Sequence, residues 1–270
     1  VRVKSLSRNN QNYQVTLIHE NGSESVFSLS EDLVVEYRLV PGKGLDHEVY
    51  SAFLRSADLD GIYQKTLIYA LRYPQTEAGI RTYLSDRSVR PEIQEVIVGK
   101  LVRLGVLDDG IYARQYVEDH GKNRREGPVK IAYDLQRRGI SREILTRALE
   151  GLSPETETAN LNALFDQKIP ALQGYPQQKA MMMMSRYLIS KGYDSDRVQA
   201  FVSARSGIFA TRHPDDELIR ADYREVLRLA DRAGWKGPER RTKIIHRLMQ
   251  KGYRYPSIQK EMGKGEDSDE

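Results

Sequence analysis

The sequence predicts a mostly α-helical protein, built from tandem three-helix repeats that form an elongated body behind a small N-terminal β-containing segment. Three observations carry that prediction. A short unit recurs: Leu84 is followed by Arg87-Ser88-Val89, Leu135 by Arg138-Gly139-Ile140, Leu188 by Lys191-Gly192-Tyr193 and Leu248 by Lys251-Gly252-Tyr253. The intervals between the leucines are 51, 53 and 60 residues, the size of a supersecondary module stacked in series. Only the first 30 residues carry strand and tight-turn signals.

The N-terminal segment, 1–58, reads as two or three short antiparallel strands, with candidates at Val1–Leu6, Tyr13–Ile18 and Val26–Leu29. Asn21-Gly22 marks the turn between the last two, because both residues tolerate positive φ. Ser30, followed by Glu31 and Asp32, predicts an N-cap for a helix reaching Arg38. Pro41-Gly42-Lys43-Gly44 is a break, and a second helix is expected from Leu45 to Leu54.

Four modules follow, at 59–107, 108–153, 154–205 and 206–262. Helices are expected near 60–72, 75–86 and 91–105 in the first, and near 109–121, 127–138 and 142–150 in the second. The third holds 155–167, 176–191 and 195–204, and the fourth 215–233, 238–251 and 256–262. Four residues before each marker leucine stands Ile80, Ile131, Met184 or Ile244, on the same helix face. Gly139, Gly192 and Gly252 fall where a helix takes a left-handed stop. Ser88 replaces that glycine, which makes the first module the divergent copy. Pro91 and Pro256 suit a first helical turn. Helices this short need their apolar stripes buried on neighbours. The acidic tail, 263–270, is expected to be disordered.

Composition narrows the functional class. The chain has 270 residues, 39% hydrophobic and 30% charged, with a net charge of +4. Residues 59–259 hold 34 basic against 25 acidic side chains. A basic body suggests a polyanionic partner, nucleic acid first; a solvated surface with surplus arginine is the bland alternative. Cysteine is absent, which excludes disulfides and thiolate metal sites. No apolar run approaches the ~20 residues of a membrane span, and Val1-Arg2-Val3-Lys4-Ser5 lacks a signal-peptide core. A cytoplasmic protein without membrane contact is expected.

Catalytic motifs are missing. His19, His47, His120, His213 and His246 are scattered without ligand spacing, and His47-Glu48 lacks a second histidine four residues on. Gly42-Lys43-Gly44 lacks the rest of a phosphate loop. The carboxylate pairs Asp58/Asp60, Asp108-Asp109, Asp194/Asp196 and Asp215-Asp216 fit helix capping better than acid–base chemistry. Met181–Met184 reads as soft packing on both faces of a buried helix. Tyr112 and Tyr116, spaced i, i+4, are expected to face a module core. No metal, cofactor or small-molecule substrate is expected.

Basic residues are the positive signal. Single cations at helix C-termini complement the dipole for ~0.3–1 kcal/mol each. The clusters Lys122–Lys130 and Arg240–Lys243 lie in loops or first turns, where cations oppose the dipole, and a phosphate backbone would offset that cost. The candidate track is Arg87, Arg103, Arg114, Lys122, Arg124, Arg125, Lys130, Arg137, Arg138, Lys191, Arg240, Arg241, Lys243, Arg247 and Lys251.

One stretch is specific enough to resemble a family. Leu104-Gly105-Val106-Leu107-Asp108-Asp109, Tyr112-Ala113 and Tyr116-Val117 lead through Gly127, Ile131, Leu135, Arg138-Gly139-Ile140 and Ile144 to Ala148-Leu149. This string is similar to the RecX regulatory family. The repeats extend the likeness over about 59–262, and the β segment resembles that of longer members. The resemblance implies a curved, basic body and a non-enzymatic regulator. It implies binding to the RecA recombinase filament on DNA, in its groove or at its growing end. Recombinase and coprotease activities would be modulated, mainly inhibited. Implied partners are RecA and single- and double-stranded DNA, with no cofactor. A plain nucleic-acid-binding helical array and an all-helical protein scaffold are the alternatives.

Overall fold

The computed structural model describes residues 1–9, 12–212 and 215–266. By packing, they divide into two compact units: residues 1–112 with 137–141, and residues 113–136 with those described from 142 onward.

The first unit opens with antiparallel strands β1 (Arg2–Asn9), β2 (Asn12–Ile18) and β3 (Glu24–Leu29), paired in sequence order. Strand alternation turns Val15 and Leu17 to the covered face. The Asn-Gly turn forms as expected: Gly22 sits at φ +82° and the His19 N–H donates to the Ser23 carbonyl at 2.9 Å. Helix α1 (Glu31–Glu36) then starts under its cap, with Ser30 Oγ accepting from the Leu33 N–H at 3.4 Å.

The helices expected at 45–54 and 60–72 are one helix, α2 (His47–Arg72), and position 58/59 lies inside it. Ser56-Ala57-Asp58-Leu59-Asp60 holds no proline and no left-handed stop, so nothing interrupts the backbone ladder. Asp58 and Asp60 therefore do not cap their own helix. Asp60 is buried and accepts the Ser30 N–H at 2.7 Å, which fastens the start of α1 instead. Twenty-six residues make a rod of about 39 Å. Its first half packs Phe53 and Ala57 into the core with Val3, Val15, Leu17 and Leu29. Its second half packs Tyr63 and Ala70 against the apolar faces of α3 (Glu77–Ser85) and α4 (Pro91–Arg103).

The remaining helices are α5 (Asp109–Val117), α6 (Pro128–Arg137), α7 (Arg142–Leu149), α8 (Pro154–Lys168), α9 (Gln177–Ser190), α10 (Ser195–Ser203), α11 (Ser206–Arg212), α12 (Asp215–Arg232), α13 (Gly237–Lys251) and α14 (Tyr255–Glu266). In the second unit, α8 to α11 enclose Leu164, Phe165, Met184, Leu188 and Phe209, and α12 to α14 enclose Ile219, Val226, Ile244, Leu248 and Ile258. Three findings depart from expectation. The segment after α5 is a π-helical turn, Glu118–Asn123. Helix α11 is additional. Helix α14 runs to Glu266, so 263–266 are helical: Met262 is buried and anchors a helix already nucleated, which two glycines then only extend. Residues 267–270 and His213 lie outside the described residues.

The recurring unit has a common geometry. Each marker leucine and its partner four residues earlier is buried: Ile80 and Leu84, Ile131 and Leu135, Met184 and Leu188, Ile244 and Leu248. Three of the leucine carbonyls accept from the residue five positions on: Val89 at 3.1 Å, Tyr193 at 3.4 Å and Tyr253 at 3.2 Å. Gly139, Gly192 and Gly252 take φ of +82°, +93° and +106°. Ser88 enters the same left-handed region at φ +57°, so the first copy keeps the stop without the glycine.

The reason three copies need glycine is a close approach. A Cβ on Gly139 would lie 2.3 Å from Ala78 Cβ, one on Gly192 2.2 Å from Lys130 Cβ, and one on Gly252 2.6 Å from Lys179 Cβ. Ala78, Lys130 and Lys179 all sit in the first turn of a marker helix: α3, α6 and α9. The C-terminal stop of one marker helix thus docks on the N-terminal turn of the marker helix before it. Main-chain bonds fasten the docking at Gly192, and a side-chain hydroxyl fastens the one at Gly139. The Gly127 N–H donates to the Lys191 carbonyl at 2.8 Å, the Val129 N–H to the Gly192 carbonyl at 3.0 Å, and Thr76 Oγ1 to the Arg138 carbonyl at 2.7 Å. At Gly192, orphan N–H groups of one helix meet orphan carbonyls of the next, and the two dipole ends are of opposite sign.

Candidate nucleic-acid interface

The fifteen cations of the sequence-derived track do not share one environment. Six are matched by carboxylates of the chain itself. Lys122 meets Glu118 at 3.1 Å, Arg124 meets Asp119 at 3.0 Å and Lys130 meets Glu126 at 2.5 Å. Arg240 meets Asp231 at 2.7 Å, Lys243 meets Glu239 at 2.6 Å, and Lys251 meets both Asp222 at 2.7 Å and Glu225 at 2.6 Å. The cationic first turn of α13 therefore has its counter-charges on hand. The pairs of Lys122, Arg124, Arg240 and Lys243 are largely exposed, and each contributes ~0–1 kcal/mol, whereas Glu126 and Asp222 are partly buried.

Four of the pairs shift the titration of a partner: Asp119, held first by Asn123 and then by Arg124, and Glu239, held by Lys243, are both lowered. Burial pushes the Glu126 carboxyl up, but the bonds from Lys130 and His120 outweigh it and hold the group below its ordinary range. Burial lowers Lys251, and its two carboxylate partners more than compensate, raising it. Around Glu126 the π turn is tightly organised. His120 Nδ1 lies 2.7 Å from Glu126, and its ring stacks on Tyr116 at 3.7 Å. Asn160 donates to the Gly121 carbonyl at 2.7 Å.

Other members of the track serve their own helix ends. The Arg87 guanidinium donates to the Tyr83 carbonyl at 3.0 Å and covers that ring at 3.6 Å. Arg138 donates to the Tyr112 hydroxyl at 2.9 Å. Lys191 lies 5.5 Å from the Tyr187 ring. Arg137 and Arg241 also have partners. Arg103, Arg114, Arg125 and Arg247 are exposed, and among the described residues none of them forms an ion pair. Arg125 holds φ +55°, with its carbonyl accepting from the Tyr193 hydroxyl at 3.1 Å.

The structure adds cations that sequence reasoning passes over. Arg228 and Arg232 of α12 are exposed and, among the described residues, unpaired; together with Arg247 and Lys251 they line a groove in the fourth helical block. The signal was present as Arg220, Arg224, Arg228 and Arg232, one per turn. It is masked by the carboxylates interspersed along the same helix.

Other expectations on side chains are revised. Tyr112 and Tyr116 stand half-buried at the rim, while Ala113 and Val117 fill the core positions of α5; the smaller side chains let the helix approach its neighbours. Met182 is 44% exposed, because α9 buries one face, through Ala180, Met184 and Leu188, and not two. Asp108 and Asp194 do cap helices, accepting from Ile111 at 2.8 Å and from Arg197 at 3.1 Å. Asp109 reaches across to the Glu77 N–H at 2.9 Å, and its burial raises its carboxyl pKa. Among the described residues there is no cluster of three metal-ligating side chains, and no helix is long and apolar enough to cross a membrane.

Comparison with known proteins agrees with this architecture. Residues 108–149 match the family model described as RecX, second three-helix domain. The chain is 25% identical over 267 residues to the regulatory protein RecX of Halalkalibacterium halodurans, covering 96% of this chain and 97% of that one. It is 26% identical over 251 residues to the regulatory protein RecX of Listeria monocytogenes, covering 89% and 88%. A crystal structure of a regulatory protein RecX superposes with a TM-score of 0.62 at 23% identity, over 75% of this chain and 98% of that one. RecX from Lactobacillus salivarius gives 0.52 at 20% identity, over 57% and 99%. Along nearly its whole length, and in the helical blocks that carry the matches, the chain is similar to regulatory RecX proteins.

Proposed function

We propose that this protein binds the RecA filament on DNA, in its groove or at its end, and restrains the recombinase and coprotease activities of RecA in the cytoplasm. The observation that carries this reading is the near full-length similarity to regulatory RecX proteins. The exposed cations support it, since a basic surface favours a nucleoprotein polyanion. Four three-helix modules, 59–107, 108–153, 154–205 and 206–262, would each add weak contacts that sum through multivalency. No chemistry is assigned to the protein in this reading; it acts by occupying the filament.

The test is RecA-catalysed strand exchange and DNA-dependent ATP hydrolysis, with and without this protein at substoichiometric ratios. Inhibition is expected. Undiminished RecA activity beside intact DNA binding would replace this reading with that of a plain nucleic-acid binder. In the same assays Arg124→Ala combined with Arg125→Ala weakens inhibition and leaves far-ultraviolet circular dichroism unchanged. Lost helicity would instead assign those residues to the fold of the π turn.

A further inference from the structure

The fourth helical block holds more positive charge at one place than its own fold neutralises. Helix α12 carries the carboxylates Asp222, Glu225 and Asp231 near its arginines, and all three are engaged elsewhere. Asp222 accepts from Lys251 at 2.7 Å and from the Tyr253 hydroxyl at 2.6 Å. Glu225 accepts from Lys251 at 2.6 Å, and Asp231 pairs with Arg240 at 2.7 Å. Upstream, Arg220 reaches Glu261 at 4.0 Å and Arg224 donates to the Arg220 carbonyl at 3.2 Å. Arg228 and Arg232, the next two members of the stripe, have no such partner among the described residues, nor has Arg247 facing them from α13.

The groove that these three arginines line holds four cations and a single carboxylate, Glu225, and that carboxylate is already bound to Lys251. Like charges gathered without counter-ions raise the energy of the free protein. Arg232 in the last turn of α12 gains from the helix dipole; Arg228 and Arg247 stand mid-helix and gain nothing from it. The floor between them is apolar, with Val226 buried and Leu229 41% exposed, and it offers neither an aromatic ring nor a carboxamide to read a base. Guanidinium forks one helical turn apart suit a row of phosphates.

We propose that the groove between α12 and α13, lined by Arg228, Arg232 and Arg247, is a binding site for the sugar–phosphate backbone of a nucleic acid, without base specificity. The proposal deepens the polyanion-binding part of the function proposed above, and needs no RecA. Paired cations such as Arg81, Arg147 and Lys260 contribute less, because an incoming phosphate must first displace a carboxylate.

The test measures binding of the full chain to a 30-mer single strand and to a 30-bp duplex across a salt series. Arg228→Gln, Arg232→Gln and Arg247→Gln are combined, and a control combines Arg81→Gln, Arg147→Gln and Lys260→Gln, three cations paired with carboxylates outside the candidate track. The groove variant is expected to lose on the order of tenfold or more in duplex affinity, and its log–log salt slope to fall by about 2–3, as removal of three phosphate contacts requires. The control should lose much less. Lysine at the three groove positions should restore most of the affinity, which separates lost charge from a damaged fold. An unchanged groove variant, an equal loss in the control, or wild-type protein that does not bind DNA overturns the proposal. So does poly-glutamate of matched charge competing as well as the oligonucleotide, which would make the groove an acidic-peptide site. A groove variant that loses DNA affinity while the wild-type protein leaves RecA untouched keeps the groove and removes the RecA reading.

Discussion

Replacing Gly192 by alanine tests the docking of marker helices. Two costs act together. An alanine at φ +93° pays ~1–2 kcal/mol for the left-handed conformation. Its Cβ would also sit 2.2 Å from Lys130 Cβ and 2.8 Å from the Lys130 nitrogen, an overlap that backbone movement must relieve at ~1–3 kcal/mol. That movement pulls on the Gly127 and Val129 N–H bonds at 2.8 and 3.0 Å, each contributing about 1 kcal/mol. The expected loss is about 3–6 kcal/mol, a large share of the ~5–15 kcal/mol of a whole domain. Gly234→Ala is the control in the same unit. It has φ +67° and a helix-ending bond from Trp235 to the Ala230 carbonyl at 3.0 Å, but a Cβ there meets nothing within 4 Å. Only the conformational cost of ~1–2 kcal/mol remains. Urea unfolding followed by circular dichroism should separate the two variants by at least ~2 kcal/mol. Equal losses would mean that the close approach carries no energy, and the account of the joint would fall.

Two further outcomes follow from neighbouring residues. Ser88→Gly relieves a left-handed serine and should stabilise the chain by about 1 kcal/mol in the same urea assay; a destabilised variant would place the Ser88 side chain among the contacts that matter. Burial pushes the Tyr193 phenol up to about 12 from an ordinary value near 10. Its neutral form is thus favoured in the native state, so its contribution is complete below pH ~10 and is lost as pH rises toward ~12. Tyr193→Phe should cost about 1 kcal/mol at neutral pH through the lost bond to the Arg125 carbonyl, and should flatten the alkaline fall in stability. Parallel pH profiles for wild type and variant would contradict the assigned environment.

The helical spans were legible because their signals are local. Apolar pairs such as Ile131 and Leu135, a glycine stop after them and prolines in first turns each act within one or two turns of chain. The continuity of α2 was not, since an acidic pair looks the same whether it caps its own helix or, like Asp60, reaches another through the fold. Why glycine recurs was only half readable. The left-handed stop is a local property, but the nearness of Ala78, Lys130 and Lys179 depends on residues about 60–70 positions away. The candidate site suffered most. Cation clusters stand out in sequence, yet whether a cation is spent depends on carboxylates brought up by folding: Arg240 is matched by Asp231, nine residues before it and on a different helix. Arg228 and Arg232 lie among acidic neighbours, but the nearest of these, Glu225 and Asp231, are engaged by Lys251 and Arg240 of α13.

A seam that turns on a missing methyl group, closed at Gly192 by main-chain atoms alone, places little demand on the surrounding side chains. Each block can drift in sequence, change its charge or alter its outer helices while the register between blocks holds. Such a chain can lengthen or shorten by whole repeats during evolution and still assemble, since every added copy brings its own plug and its own socket.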